Sequence, residues 1–320
     1  MAGKKFPLAV GVVAVIAAGA WFGANYYAKT QVEEKLNAYL LENDMQNNVT
    51  WGALDASILG SASLHDVKVV RKDDPAKFLT IKTVKVNDLQ TGSDDKKVDF
   101  SFSGLADQTG NSPFSAALKE KAGQLGYDSL PLLDGRVRGT LNEKLDTSDY
   151  DITLSQPEVG NINVVLKADK IVELINTVRT REKELQSNPL LLMSALSPVA
   201  IRELNIKFDD AGLMPRVVKL QQRVAPVDGK PTAEQLQAYE ARMAKSESDC
   251  ASQALRLGIA GTEEMCASVS RFMKNEAGSL VVSATPTPPV QVMKLVMQMQ
   301  MGSQQGIAKV FQQLNLKISN

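Results

Sequence analysis

Apolar and polar positions change their period several times along this chain, and each change marks a different kind of element. From Phe6 to Tyr27 there is no charge at all. At about 1.5 Å per residue such a run is long enough to cross a hydrocarbon core as a helix. AKTQVEEKLNAYLLENDMQ then sets Val32, Leu36, Tyr39 and Leu40 on one stripe, the spacing of a helix that continues the anchor as a stalk. Period two follows. Ile58, Ala62, Leu64, Val67 and Val69 alternate with polar residues, with a phase slip near Asp66. Leu79, Ile81, Val84 and Val86 do the same with one slip, and Val98, Phe100 and Phe102 without one. Short alternating runs between turn-rich breaks at 72–75 and 91–95 predict antiparallel strands with one wet face. The slips predict β-bulges.

Residues 113–126 read as a short helix, and strand patterning resumes through Val137, Leu141, Ile152, Leu154, Ile162, Val164 and Leu166. Asp169 is placed to cap a helix with the stripe Ile171, Leu174, Ile175, Val178 and Leu185. PLLLMSALSPVA is twelve residues long, too short to cross a membrane, and predicts a buried helix. A strand follows through Leu204, Ile206 and Phe208.

The last third reads as mostly helical. Thr232 and Gln235 fit a capping box, two cysteine-bearing helices follow, and SLVVSATP reads as a strand. Val292, Leu295, Val296 and Met299 share a helical face, and the tail adds Ile307, Val310, Phe311 and Leu314. The predicted class is α+β: a transmembrane helix and stalk, a curved antiparallel sheet, and a helix-rich C-terminal third. The expected divisions are an anchor at 1–27, a stalk at 28–46, a strand-rich part at 47–195 and a mixed, helix-rich part at 196–320.

Charge fixes orientation more than it fixes partners. Lys4 and Lys5 precede the apolar run and favour a cytoplasmic N-terminus, with Trp21, Tyr26 and Tyr27 where an interfacial aromatic belt belongs. The competing reading is a signal peptide cleaved after Ala18-Gly19-Ala20. Both readings export the rest of the chain. Beyond the anchor, 34 basic residues face 36 acidic ones. That balance supplies no basic field for nucleic acid.

The two cysteines, Cys250 and Cys266, match no metal spacing. Folding their helices back at 258–261 would bring the thiols within disulfide reach, an expectation that suits an oxidising compartment. Two separate buried thiols are the alternative.

Candidate chemistry is sparse. His65 is the single histidine and falls on the polar side of an alternating strand, so a surface role is expected. The adjacent carboxylate pairs Glu33-Glu34, Asp73-Asp74, Asp94-Asp95, Asp209-Asp210 and Glu263-Glu264 fall in turns or first helical turns, where acids are common. Neither a glycine-rich phosphate loop nor a calcium-loop pattern is present in the sequence, and the reading implies no cofactor, metal or catalytic residue. Met293, Met297, Met299 and Met301 cluster near the C-terminus. Thioethers adapt to irregular apolar partners, but the one-turn spacing of Met293 and Met297 predicts core filling.

AWFGANYYAKTQVEEKL resembles the start of YdgA-like bacterial envelope proteins, which carry a single N-terminal anchor, and ASILGSASLHDVKV is similar to the opening of AsmA-like envelope proteins. LNIKFDDAGLMPRV and SLVVSATPTPPVQVMKL resemble phrases of other exported proteins. The resemblance implies an anchored, β-rich envelope protein, some of whose relatives handle lipid between membranes. It carries over no catalytic residue.

The expectation is a non-enzymatic protein of the bacterial inner membrane, single-pass, with its ectodomain in the periplasm. It would bind a lipid or an apolar envelope partner on a surface lined by Ile58, Leu64, Ile81, Val84, Phe100 and Phe102. The bland alternative makes these six residues a core. The rival functions are a scaffold subunit of an inner-membrane complex and a hydrolase with a carboxylate site.

Overall fold

The computed structural model describes residues 29–42, 45–56, 61–71, 74–90, 94–113, 122–181, 184, 188–223, 229–256, 261–300 and 304–320. The expected anchor lies outside them, as do Ile58 and most of the helix expected at 113–126. Among the described residues no helix is long and apolar enough to cross a membrane. The class is α+β, with antiparallel strand pairs and helices. The chain divides into two compact units, residues 1–91, 97–138 and 153–159, and residues 92–96, 139–152 and 160–320.

The first unit begins with helix α1 (Lys29–Glu42). Strands β1 (Val49–Thr50) and β2 (Ala53–Ala56) both pair with β3 (Ala62–Val70), which pairs with β4 (Phe78–Gln90), and β4 in turn with β5 (Asp95–Asp107). Leu36 and Leu40 of α1 are fully hidden in one core with Leu54, Leu64, Val67, Ile81, Val84, Val86, Phe100 and Phe102. Period-two alternation built this core by sending every second side chain to the same face.

The two phase slips are real, but they are not bulges. Val67 opposes Ile81 and His65 opposes Thr83, so the register between β3 and β4 is unbroken across Asp66. Thr80 opposes Ala106 and Thr83 opposes Ser103, so it is unbroken across Gly104 as well. The slip of β3 instead falls at Asp66, which adopts left-handed backbone with φ of 52°. The slip of β4 falls at Lys82 and Thr83, where the register to both neighbours is continuous and no residue of β4 is left-handed. In β5, where no slip was expected, Gly104 is left-handed with φ of 68°. A left-handed residue rotates the strand and inverts which face the next side chain meets, without adding a residue. Only glycine suits position 104, because a Cβ there would lie 2.6 Å from the Lys82 side chain. The true bulge of this ladder falls between Val86 and Asp88. There Asn87 donates to Asp99 at 3.1 Å.

Strands β6 (Leu133–Asn142) and β7 (Thr147–Gln156) lead to the second unit. It contains β8 (Gly160–Asp169), α2 (Val172–Thr180), α3 (Pro189–Leu196), β9 (Ala200–Asp210), α4 (Leu213–Gln221), α5 (Ala233–Arg256) and α6 (Thr262–Met273). β10 (Ser279–Ala284), β11 (Val290–Gln291), α7 (Val292–Gln300), α8 (Gln304–Leu314) and β12 (Leu316–Ser319) follow. β9 pairs with β8 on one edge and with β10 and β11 on the other, and β10 pairs with β12. The closing strand β12 was not foreseen, because only four residues follow the helical pattern.

Local signals fared unevenly. The capping box is complete: Gln235 Oε1 accepts from Thr232 N at 2.8 Å, and Thr232 Oγ1 from Gln235 N at 3.2 Å. Asp169, however, does not cap α2. Asp146 does, its Oδ1 accepting from Val172 N at 2.9 Å. Asp169 ends β8 and is paired with Arg202 at 2.6 Å.

Candidate functional site

The residues expected to line an apolar surface do not line one. Leu64, Ile81, Val84, Phe100 and Phe102 are between 0% and 7% exposed, inside the core of the first unit. Helix α1 and the neighbouring strands cover them, so no apolar ligand reaches these side chains without opening the core. Ile58 lies outside the described residues.

An incompletely covered apolar face exists in the second unit. Ile162, Val164 and Leu166 of β8 oppose Phe208, Ile206 and Leu204 of β9. Those three in turn oppose Leu280, Val282 and Ala284 of β10, and Val282 opposes Ile318 of β12. Directly opposed residues of an antiparallel ladder point to the same face, so these side chains form one stripe across four strands. The alternate positions are Asn161, Asn163, Val165 and Lys167 on β8, Glu203, Asn205 and Lys207 on β9, and Ser279, Val281 and Ser283 on β10. One face is therefore uniformly apolar and the other mostly polar. Ala284 is fully hidden, but Val164, Leu166, Leu204, Ile206, Phe208, Leu280 and Val282 are only half-buried, and Ile162 is 37% exposed. Comparable positions of the first unit are hidden completely.

Helices hold the two ends of β9 and leave its middle lightly covered. Phe272 of α6 meets Phe208 edge-on, with ring centroids 5.7 Å apart. At the other end Ile201 packs with Val290, Leu295, Val310 and Leu314, the last three from α7 and α8. Leu204 and Ile206 lie between these clusters.

The helices of this unit also carry apolar side chains in water. α3 was expected to be buried, yet Leu190, Leu192 and Met193 are 71%, 40% and 41% exposed. Asn188 and Pro189 set its start, with Asn188 Oδ1 accepting from Leu190 N at 3.1 Å. α3 packs against both α2 and α7. Val178 of α2 and Met297 and Met299 of α7 are exposed too. The core-filling expectation for the methionines fails at Met297 and Met299, since Leu295 is the residue of α7 that turns fully inward. Large apolar side chains left in water over several neighbouring elements mark binding surfaces more often than they mark accidents.

The polar chemistry is conservative. Cys250 of α5 and Cys266 of α6 form a disulfide with Cα atoms 6.0 Å apart, the bridge that the helical hairpin predicted. His65 Nε2 lies 3.1 Å from Asp55 Oδ2, and its Nδ1 is 3.4 Å from Thr83 Oγ1, with the ring partly in solvent. Members of two of the carboxylate pairs serve the backbone and neighbouring lysines. Asp210 accepts from Gly212 N and Met214 N and so caps α4. Asp209 pairs with Lys207 at 2.9 Å, and Asp74 with Lys77 at 2.6 Å. Among the described residues there is no group of three or more His, Cys, Asp or Glu side chains able to hold a metal ion.

The apolar face lies in the part of the chain that a family model recognises. That model, described as "Uncharacterized protein", matches residues 153–320, slightly more than half of the chain. The chain belongs to this family. No curated protein matches it. The matched segment contains β8 to β12 and every helix from α2 onward, and so the whole apolar stripe and the exposed helix side chains.

Proposed function

We propose that the protein is a non-enzymatic, single-pass protein of the bacterial inner membrane whose periplasmic part binds the acyl chains of a lipid. The observation that carries this reading is the half-covered stripe of Val164, Leu166, Leu204, Ile206, Leu280 and Val282. An acyl chain laid on it would bury methylenes worth about 0.8 kcal/mol each without asking the protein for polar partners. The exposed thioethers Met297 and Met299 suit such a ligand, because they repack around chains of different length and unsaturation. The resemblance to anchored envelope proteins and the N-terminal apolar run support the location. The disulfide is in keeping with an oxidising compartment.

The test compares lipid content. Full-length protein and its Ile206→Asp variant are purified in parallel in the same detergent and their bound lipid is measured by native mass spectrometry. Annular lipid around the anchor is common to both. Lipid in excess over that background in the wild type, and its loss in a cooperatively folded variant, is the expected result. Equal lipid in both overturns the reading. A second reading, a scaffold subunit of an inner-membrane complex, is favoured by the exposed Leu190, Leu192 and Met193 of α3. It predicts that Leu190→Gln removes a co-purifying envelope protein and leaves bound lipid unchanged.

A further inference from the structure

Helix α3 of the second unit is apolar on every side, and protein covers only one of them. Ser194 is its one polar side chain, and it carries no charge. Ala195 is fully hidden and Leu191 and Leu196 are half-buried, while Leu190, Leu192 and Met193 stand in water. At 3.6 residues per turn those three exposed side chains point in three different directions about the axis. A surface helix ordinarily keeps a polar face for solvent, and one that is apolar all round is made to leave water on all sides. The helices packed against α3 extend the exposed surface with Val178 of α2 and with Met297 and Met299 of α7. Leu174 and Ile175 of α2 and Val292 of α7 pack on one cluster with Ala168, Ile171 and Val199, which holds these helices together.

Charge says what this surface meets. The chain holds 36 acidic residues, yet none falls in residues 185–202, which contain α3, or in residues 277–320, which contain α7 and α8. The charged side chains of 277–320 are Lys294, Lys309 and Lys317. Lys294 and Lys309 are exposed, and Lys294 stands one helical turn before the exposed Met297. α2 contributes one acid, Glu173 in its first turn, and Glu184 beyond it is paired with Arg181. A surface that meets anionic headgroups excludes carboxylates and favours lysine. A protein interface carries no such bias, because the partner can supply charge of either sign.

We propose that α3, with the exposed side chains of α2 and α7, docks into the headgroup layer of a bilayer that contains anionic lipid. Eight residues make a helix about 12 Å long, too short to cross but sufficient to lie at the boundary between headgroups and acyl chains. Leu190, Leu192 and Met193 enter that boundary, and Lys294 and Lys309 remain among the phosphates. The apolar run from Phe6 to Tyr27 keeps the face near the bilayer, so a weak second contact is enough to hold it there. This inference shares the anchor with the function proposed above and does not depend on the sheet stripe holding a lipid.

Among the described residues there is no free cysteine, so Ser194→Cys offers α3 a single site for a polarity-sensitive fluorophore. The labelled full-length protein is reconstituted into vesicles of phosphatidylethanolamine and phosphatidylglycerol that carry a nitroxide lipid. Flotation reports whether the chain stays with the vesicles, and the fluorophore reports where α3 lies. A blue shift with quenching by the nitroxide is expected. Lys294→Gln is expected to lower the ratio of docked to undocked α3 about fivefold, and vesicles of phosphatidylcholine alone to lower it at least as far. Leu190→Gln is expected to lower it about tenfold or more, with the melting transition unchanged because Leu190 is 71% exposed. A floated chain whose fluorophore stays in water overturns the docking and leaves the anchor standing. That is the result expected if α3 meets a protein instead, since these vesicles hold none. Equal quenching in phosphatidylcholine and with Lys294→Gln overturns the anionic surface, and a chain that does not float overturns anchor and docking together.

Discussion

Arg136 grips Asp99 in a two-point clasp, Nε to Oδ1 at 2.9 Å and Nη2 to Oδ2 at 2.6 Å, and Asp99 is 8% exposed. The hydrogen bond from Arg136, helped by Asn87, holds the Asp99 carboxyl below its ordinary value against the opposing pull of burial. A carboxyl with a depressed folded-state pKa stabilises the fold above its unfolded pKa, near 3.9. That contribution is lost as pH falls through the lower folded value. Asp99→Asn is therefore expected to lower stability at pH 7 on the order of 1–2 kcal/mol, with the gap to the wild type closing below about pH 4. Urea titrations at several pH values check it. A gap that stays constant down to pH 2 would show that the clasp adds nothing.

The left-handed turn of β5 at Gly104 makes a second, purely steric prediction. Gly104→Ala asks an L-residue to hold φ near 68° and pushes its Cβ into Lys82. The backbone term alone costs about 1–2 kcal/mol. Pairing the change with Lys82→Ala should recover the steric part only. If the single variant melts like the wild type, the strand has another way to invert its faces.

Reduction should loosen the helical hairpin of α5 and α6. The bridge spans 16 positions, and the chain-entropy model gives about 3 kcal/mol for a loop of that size. Replacing Cys250 and Cys266 with serine is expected to lower the denaturation midpoint by a corresponding amount while leaving the fold cooperative. Intact protein from the exported fraction should be two hydrogens lighter than its reduced form.

The core and the open face give opposite outcomes for the same chemical insult. Val84→Asp, at 1% exposure, strands a carboxylate among Ile81, Phe100 and Leu64 and is expected to abolish cooperative melting. Ile206→Asp puts the same group where water already reaches, so the fold should survive and bound lipid should be lost. Thermal melts beside lipid analysis separate the two. Unfolding of both variants would place Ile206 in a closed core and remove the lipid site.

Topology offers the remaining prediction. With Lys4 and Lys5 inside, a reporter fused after Asn320 should be active only on the exported side, and full-length chain should stay with membranes. A mature chain beginning at Trp21 would refute a retained anchor.

What the sequence determined alone is whatever is settled within a few residues. Alternation placed β3, β4, β5 and β9, because a strand declares its two faces every second residue. Thr232 and Gln235 announced their helix start, since both hydrogen bonds close within three positions. The cysteines announced their bridge through two helices and a short break. Tertiary structure decided everything that depends on what arrives from elsewhere. Asp146 rather than Asp169 caps α2, because a turn 26 positions earlier reaches the helix first. Asp66 inverts the faces of β3, a change of backbone rotation that a hydrophobic pattern records only as a slip, and the left-handed Gly104 of β5 left no mark in the pattern at all. Above all, the stripe of Leu64, Ile81 and Val84 reads no differently from that of Val164, Leu204 and Ile206. The first is sealed by α1, while helices grip only the ends of β9 in the second. An apolar pattern states that a face should leave water, and only the packing of distant elements decides whether the protein itself covers it.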